Sequence, residues 1–512
     1  MSENKTIAKN SIILYFRLLA TTIIGLYASR IVLLELGAEN FGLYAVVGGL
    51  VAMMSFLNTS MISTSNRFIA VEIGKKEGSD LKKVFNTLLI IHILFSVLLV
   101  LTAEFAGVWY VRNYLNVDAS KISDALFVLH LSTISAVIAT IIIPYQGLIT
   151  ANEKFKLRAV VEIINSLLNL GVVLLLVYHS GNKLRAYAVY ILMVQLLVAL
   201  IYYIYSRYKY FDIIKWKINR QASDYVEVSR FFGWQLVYVF GSVGSKQGAA
   251  IIINLFFGTL LNAAFGIASR VFEFVFSFVK NLNQAALPQI MKNFSGGNQD
   301  RSLKLIYKLS KLTYFIMLIP AVPIILSIDN LLVIWLKNVP QYTSVFVVLL
   351  IINGLVSCLE SGFDATIDAT GRIKQTKIIF SILFLLTLPL IYLLYSLKFP
   401  PYTITILYVI VEIVFLLFQT RILSKLTEFK FSAYFSLTIR PVFFVTLLIV
   451  PQYFLSNIFG SGLMNFFLLS IISVLLTIIT IYFFGLSREE RNIIILNACK
   501  IPLINRLVLL AN

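Results

Sequence analysis

Fourteen apolar windows of membrane-spanning length follow one another along this chain of 512 residues, and nothing else in the sequence constrains its fold as tightly. About 20 consecutive apolar residues, wound as an α-helix, cross the hydrocarbon core of a bilayer. Barrel strands alternate apolar and polar residues instead and leave no long unbroken runs, so an outer-membrane barrel is excluded. The windows fall at about 11–35, 42–62, 86–111, 124–150, 158–178, 186–206, 232–257, 261–282, 312–329, 343–365, 377–397, 402–421, 440–458 and 463–484. The first holds Arg17 and Arg30, and Pro320 and Pro323 interrupt the ninth. Hydrophobic residues make up 59% of the chain and charged residues 13%. Soluble domains carry roughly 45–50% and about 25%, which excludes a soluble enzyme, a disordered scaffold and a fibrous protein. The sequence predicts an all-α, polytopic integral membrane protein.

Charge supplies the orientation. The formal net charge is +19. With the N-terminus in the cytoplasm, Arg67, Lys75, Lys76, Lys82 and Lys83 fall inside after the second span. Lys154, Lys156 and Arg158 follow the fourth, and Arg207, Lys209, Lys215, Lys217, Arg220 and Arg230 the sixth. On this count roughly three quarters of the Lys and Arg residues lie on the cytoplasmic side, as the positive-inside rule requires. Both termini are then expected in the cytoplasm, and the excess charge needs no nucleic-acid partner. Lys5 and Lys9 precede the first span without a cleavage pattern, so no cleavable signal is expected. Cys358 and Cys499 are expected to form no disulfide. His92, His130 and His179 make no metal pattern, and no phosphate loop, H-E-x-x-H or catalytic triad is present. The expectation is a protein that is not an enzyme and carries no cofactor.

The long basic connector at about 207–231 divides the first twelve spans into two groups of six. This predicts lobes at 1–210 and 211–425, followed by two further spans and a cytoplasmic amphipathic tail over 426–512. Internal repetition supports the division. Phe41-Gly42-Leu43-Tyr44 recurs as Phe265-Gly266-Ile267-Ala268, about 224 positions later. Ile149-Thr150-Ala151-Asn152-Glu153-Lys154 recurs as Ile367-Asp368-Ala369-Thr370-Gly371-Arg372, about 218 positions later. Two lobes around a shared cleft describe a transporter more readily than a channel or a membrane enzyme, and in such folds the substrate site lies near the midplane.

A charge inside a span costs at least about 2.5–3.5 kcal/mol on insertion scales, so each one needs a reason. On the seventh span Gln235, Ser242 and Lys246 share a stripe, Gln247 and Asn254 line up beside it, and Gly241, Gly244 and Gly248 lie toward the back, where another helix can pack closely. Lys246 either binds an anion in a wet cavity or pairs with a carboxylate of a neighbouring span. Arg270 either pairs with Glu273 one turn away or keeps its fork free for a phosphate. Arg17 and Arg30 either contact substrate or snorkel to the surface. Glu162, Asn165 and Asn169 form a stripe on the fifth span that lines a cavity, binds a coupling cation, or hydrogen-bonds between helices. Glu360, Asp364 and Asp368, near Arg372 and Lys374, are expected to form a cytoplasmic ion-pair cluster.

Several segments resemble a known family. Leu36-Gly37-Ala38-Glu39-Asn40-Phe41-Gly42-Leu43-Tyr44, Pro144-Tyr145-Gln146-Gly147-Leu148-Ile149-Thr150-Ala151-Asn152-Glu153-Lys154, Asn262-Ala263-Ala264-Phe265-Gly266-Ile267-Ala268 and Ala285-Ala286-Leu287-Pro288-Gln289-Ile290 are similar to segments of the Wzx-type polysaccharide flippases. These belong to the multidrug/oligosaccharidyl-lipid/polysaccharide exporter superfamily. The resemblance implies a V-shaped pair of six-helix lobes, a cationic cavity, and residence in the bacterial inner membrane. It also implies a substrate of oligosaccharide on undecaprenyl pyrophosphate, flipped to the periplasmic leaflet for O-antigen, lipopolysaccharide, capsule or exopolysaccharide assembly. Arg30, Lys246 and Arg270, with Arg17, would then face the anionic head, and Gln235, Ser242, Gln247 and Asn254 the sugar hydroxyls. The expected partners are the lipid-linked oligosaccharide, membrane lipid, and polysaccharide polymerase and chain-length machinery; nothing in the sequence demands more than a monomer. The main alternative is a cation-coupled multidrug antiporter of the same superfamily, which should show an acidic cavity. A polysaccharide polymerase or ligase should show a large periplasmic loop, and the outer loops here are short.

Overall fold

The structure, a computed structural model, describes residues 3–52, 55–75, 79–113, 115, 117–336, 339–457 and 462–492. At several positions between 3 and 56, Arg30 among them, the side chain lies outside the description, as do Cys499 and the tail from residue 493. The described chain is helical throughout, with no strand. The principal helices are α1 (Glu3–Ala52), α2 (Ser55–Gly74), α3 (Leu81–Asn113), α4 (Ile122–Ala151), α5 (Phe155–Tyr178), α6 (Lys183–Lys209) and α7 (Ala222–Ser295). There follow α8 (Gln299–Leu336), α9 (Thr343–Cys358), α10 (Phe363–Thr370), α11 (Lys374–Ser396), α12 (Thr403–Leu426), α13 (Phe431–Leu455) and α14 (Leu463–Gly485). Ten helices of the described residues are long and apolar enough to cross a membrane, or eleven if α9 and α10, bent by 46°, form one broken span. The physical reason is that hydrocarbon offers no partner for a backbone N–H or C=O, and a helix satisfies both internally. The chain is a polytopic, all-helical membrane protein.

The predicted gap between the seventh and eighth spans falls at Gly258 (φ 78, ψ −176), where two helices meet end to end across a kink within α7. α1 bends in the same way at Gly37 (φ 72, ψ 163). This backbone region is open in practice to glycine alone, so a glycine at the join lets one helix follow the next across a sharp bend without a connecting loop. In the ninth span, Pro320 and Pro323 do not end α8. The break falls at Ser327, whose hydroxyl donates to the Pro323 carbonyl at 2.6 Å.

The repeated motif ending the fourth and tenth spans has a geometric counterpart. Its fifth position is left-handed both times, at Glu153 (φ 58) and Gly371 (φ 74). The backbone N–H of each closes the same short turn, to Thr150 O at 2.9 Å and to Asp368 O at 3.1 Å.

Cα packing divides the chain into two compact units. The first comprises residues 1–243, 284–302 and 365–382. In it, Ala28, Val32 and Leu36 of α1 pack on Val173 and Leu176 of α5. Leu43 and Val47 continue the seam against Val111 of α3, Val128 and Leu129 of α4, and Leu184 of α6. Met61 of α2, Ile143 of α4 and Phe232 of α7 close a third cluster. The second unit comprises residues 244–283, 303–364 and 383–512. Its core joins Ala264, Ala268 and Val275 of α7 to Met317 and Ala321 of α8, Phe346 and Ile351 of α9, and Ile391 of α11. Val445 of α13 and Ile481 of α14 extend it. The α7 glycines do what small residues at that spacing allow. A Cβ on Gly241 would sit 2.7 Å from Ser381 Cα, and one on Gly248 2.5 Å from Leu388 Cδ1, so α11 lies directly on that face.

Candidate functional site

In the first unit, one carboxylate sits between two guanidinium groups. Glu162 on α5 takes Arg17 of α1 at 2.5 Å and Arg158, one turn earlier on its own helix, at 2.8 Å. Arg158 also donates to Thr150 Oγ1 at 3.3 Å and, with the Gln284 amide oriented to accept, to Gln284 at 2.5 and 3.0 Å. Of the predicted fifth-span stripe, Asn169 turns its amide back on Asn165, at 2.8 Å to the carbonyl and 3.1 Å to the side-chain oxygen. Arg17 and Glu162, which the sequence offered for separate roles, are therefore partners. The cluster carries two positive charges against one negative.

A second cluster of the same unit is almost wholly buried, and sequence reasoning missed most of it. Asp368 of α10, 5% exposed, accepts from Gln235 Nε2 of α7 at 3.0 Å and lies 3.3 Å from Lys377 Nζ of α11, which is 1% exposed. Arg67 of α2, counted from sequence among the charges of the cytoplasmic side, is 7% exposed. Its Nε donates to the Asp368 carbonyl at 3.0 Å, and Nη1 is 3.7 Å from Glu227. Its guanidinium lies 4.2 Å over the ring of Phe68 and 5.1 Å over that of Phe231. Aromatic faces take the place of water around a planar cation here. Gln235 is thus engaged inside protein. The signal available in the sequence was Phe68 beside Arg67, and it is weak.

A third link in this unit uses the strained turn after α4. Glu153 accepts from Gln289 at 3.0 Å and pairs with Lys292 at 2.9 Å, both on α7. Beside it, Gly74 ends α2 so close to α7 that an added Cβ would lie 2.6 Å from the Lys292 carbonyl oxygen.

In the second unit the same stoichiometry recurs. Glu273 lies 2.9 Å from Lys246 Nζ and 2.6 Å from Lys280 Nζ. Glu273 is thus held by two lysines, and Arg270, exposed, has no ion pair among the described residues. The Lys246 and Glu273 side chains are 59% and 43% exposed. Gln247 and Asn254 are also exposed and stand on one face of α7 with Ile251 and Leu255. The predicted seventh-span stripe is therefore shared out: Gln235 and half-buried Ser242 belong to the first unit, Lys246, Gln247 and Asn254 to the second. Of the expected acidic cluster, Asp368 takes Lys377, while Asp364, in the second unit, accepts from Gln419 at 3.3 Å. Among the described residues no His, Cys, Asp and Glu group has metal-binding geometry. The tail's first turn is anchored, with Glu490 2.7 Å from buried Lys311 of α8.

The helix order and the charges on these helices describe a polytopic membrane protein whose span cations Arg17, Lys246 and Lys280 are paired, while Arg270 has no ion pair among the described residues. No protein-family profile matches the chain, and no curated relative does. Solved structures do. A MATE transporter in complex with MaL6 is 14% identical and superposes with a TM-score of 0.70, covering 83% of this chain and 97% of that one. An outward-facing multidrug resistance MATE transporter of the MOP superfamily gives 0.69 at 14% identity, with the same coverage. A MOP superfamily transporter from Pyrococcus furiosus, described as having a binding pocket of reverse polarity that suggests a different function, gives 0.65 at 15%, again over 83% and 97%. The chain has the fold of the MATE transporters of the MOP superfamily.

Proposed function

We propose that this protein is a transporter that flips an anionic, lipid-linked oligosaccharide across the bacterial inner membrane by alternating access, both of its termini lying in the cytoplasm. The observation that carries the reading is the allocation of charge around Glu273: the carboxylate is taken by Lys246 and Lys280, and Arg270 is left exposed with no ion pair among the described residues. A bare pyrophosphate cannot cross about 30 Å of hydrocarbon. An Arg fork in a wet cleft supplies two parallel hydrogen bonds to it, while a polyprenyl tail stays in lipid. Gln247 and Asn254, exposed on the same helix, suit sugar hydroxyls. Neither triad offers a cationic drug a carboxylate to itself, because Glu162 and Glu273 are each shared by two cations already. That the fold accommodates a pocket of reversed polarity is consistent with the Pyrococcus furiosus transporter.

The test is the fate of the lipid-linked oligosaccharide in a deletion strain of the native host. Accumulation on the cytoplasmic leaflet, with surface glycan lost and sensitivity to cationic drugs unchanged, is the expected result. Complementation should fail with Arg270→Ala or Lys246→Ala at normal membrane levels. Normal glycan together with raised drug sensitivity would overturn the reading and favour the antiporter.

A further inference from the structure

The connector between α6 and α7 carries a basic pocket that the transport reading does not use. Asn86 on α3, fully buried, clamps this connector: its amide donates to Lys215 O at 3.2 Å and accepts from Lys217 N at 3.0 Å. Asn219 adds bonds to Thr87 Oγ1 at 2.9 Å and to Asp224 at 2.6 Å. The stretch is thereby strapped to the first turns of α3, and a pocket of about 840 Å³ is lined by both. The site is built by one buried amide, Asn86, and one half-buried amide, Asn219, rather than by a loose run of surface lysines.

Its charges do not cancel. Lys83 is committed to Asp224 at 2.8 Å and to Gln221 at 2.5 Å. Asp80 caps α3 by accepting from the Lys83 backbone N–H at 2.9 Å. Lys82, Lys217 and Arg220 line the pocket with no ion pair among the described residues. Beside these cations stand two apolar side chains without cover, Trp216 at 54% and Ile218 at 62% exposure. A pocket for a soluble anion has no use for an uncovered indole and an uncovered isoleucine at its lip. At the bilayer surface both have a solvent, because Trp settles at headgroup level with its ring toward the acyl boundary, and basic pockets at that level attract anionic headgroups.

We propose that this pocket binds the phosphate headgroup of an anionic membrane lipid, with Lys82, Lys217 and Arg220 on the phosphate and Trp216 and Ile218 against the upper acyl chain. The site is independent of the residues invoked for transport, so failure of one reading leaves the other standing.

The experiment is a titration of the purified full-length chain with phosphatidylglycerol, the bound lipid counted by native mass spectrometry. Quenching of tryptophan by brominated phosphatidylglycerol, with Trp216→Phe as the blank, reports where it binds. Each neutralisation, Lys82→Gln, Lys217→Gln or Arg220→Gln, should weaken binding about five-fold, and all three together about a hundred-fold. Arg112→Gln, an exposed cation at the far end of α3, should change nothing. Equal binding by wild type and the triple variant would overturn the proposal. So would equal binding of phosphatidylcholine, which means adsorption without charge recognition, or displacement by inorganic phosphate at matching concentration, which means a soluble-anion site.

Discussion

Asp368→Asn is the most informative substitution in the first unit. The carboxylate is 5% exposed, 3.3 Å from the ammonium of Lys377, and it accepts from Gln235 at 3.0 Å. Removing one partner of a buried pair costs about 3–5 kcal/mol, because the other charge stays out of water without its counter-ion. Asn keeps an oxygen for Gln235, which places the expected loss at the lower end, about 3 kcal/mol. Lys377→Met should cost a comparable amount, plus the cation–π contact over Tyr238 at 4.6 Å, worth about 0.5–2 kcal/mol. The double variant, Asp368→Asn with Lys377→Met, removes both charges and should be more stable than Asp368→Asn alone, since a buried pair replaced by uncharged groups of similar volume is often neutral. Equilibrium unfolding of all four proteins in mixed micelles, followed by helical circular dichroism, closes the cycle. A loss below about 1 kcal/mol for Asp368→Asn, or a double variant whose loss is the sum of the two singles, would refute the idea that these charges stabilise one another.

Two further substitutions separate packing from backbone strain. Gly74→Ala places a Cβ 2.6 Å from the Lys292 carbonyl oxygen and 2.8 Å from Lys292 Cα. Backbone cannot rotate away, so a loss of about 1–3 kcal/mol is expected, read as a lower melting temperature; a variant as stable as wild type would contradict the close approach of α2 to α7. Gly258→Ala meets no atom within 4 Å, yet φ is 78°. The same measurement should show a loss of about 1–3 kcal/mol from strain alone, and an unchanged melting temperature would mean that α7 bends there for another reason.

Much of the fold is legible in the amino-acid order. Hydrocarbon forces each apolar run to satisfy its own backbone, so helix and membrane class follow from local composition. The repeat at Glu153 and Gly371 was visible as a motif, and its left-handed backbone now gives that motif a physical meaning. The packing role of Gly241, Gly244 and Gly248 followed from spacing on one helix face. Arg270 and Glu273, one turn apart, looked equally able to pair or to stay apart. Sequence spacing gives the angle of a side chain around its own helix, and stops there. It does not state which other helix stands opposite, so it could not say that Glu273 would be claimed by Lys246 and Lys280. Nor could it say that Arg67 would be buried over Phe68 and Phe231, or that Glu162 would join Arg17 to Arg158. Local periodicity determined the helices and their membrane setting; only the tertiary arrangement decided which charges are neutralised and which remain available, because an ion pair depends on distances between segments far apart in the chain.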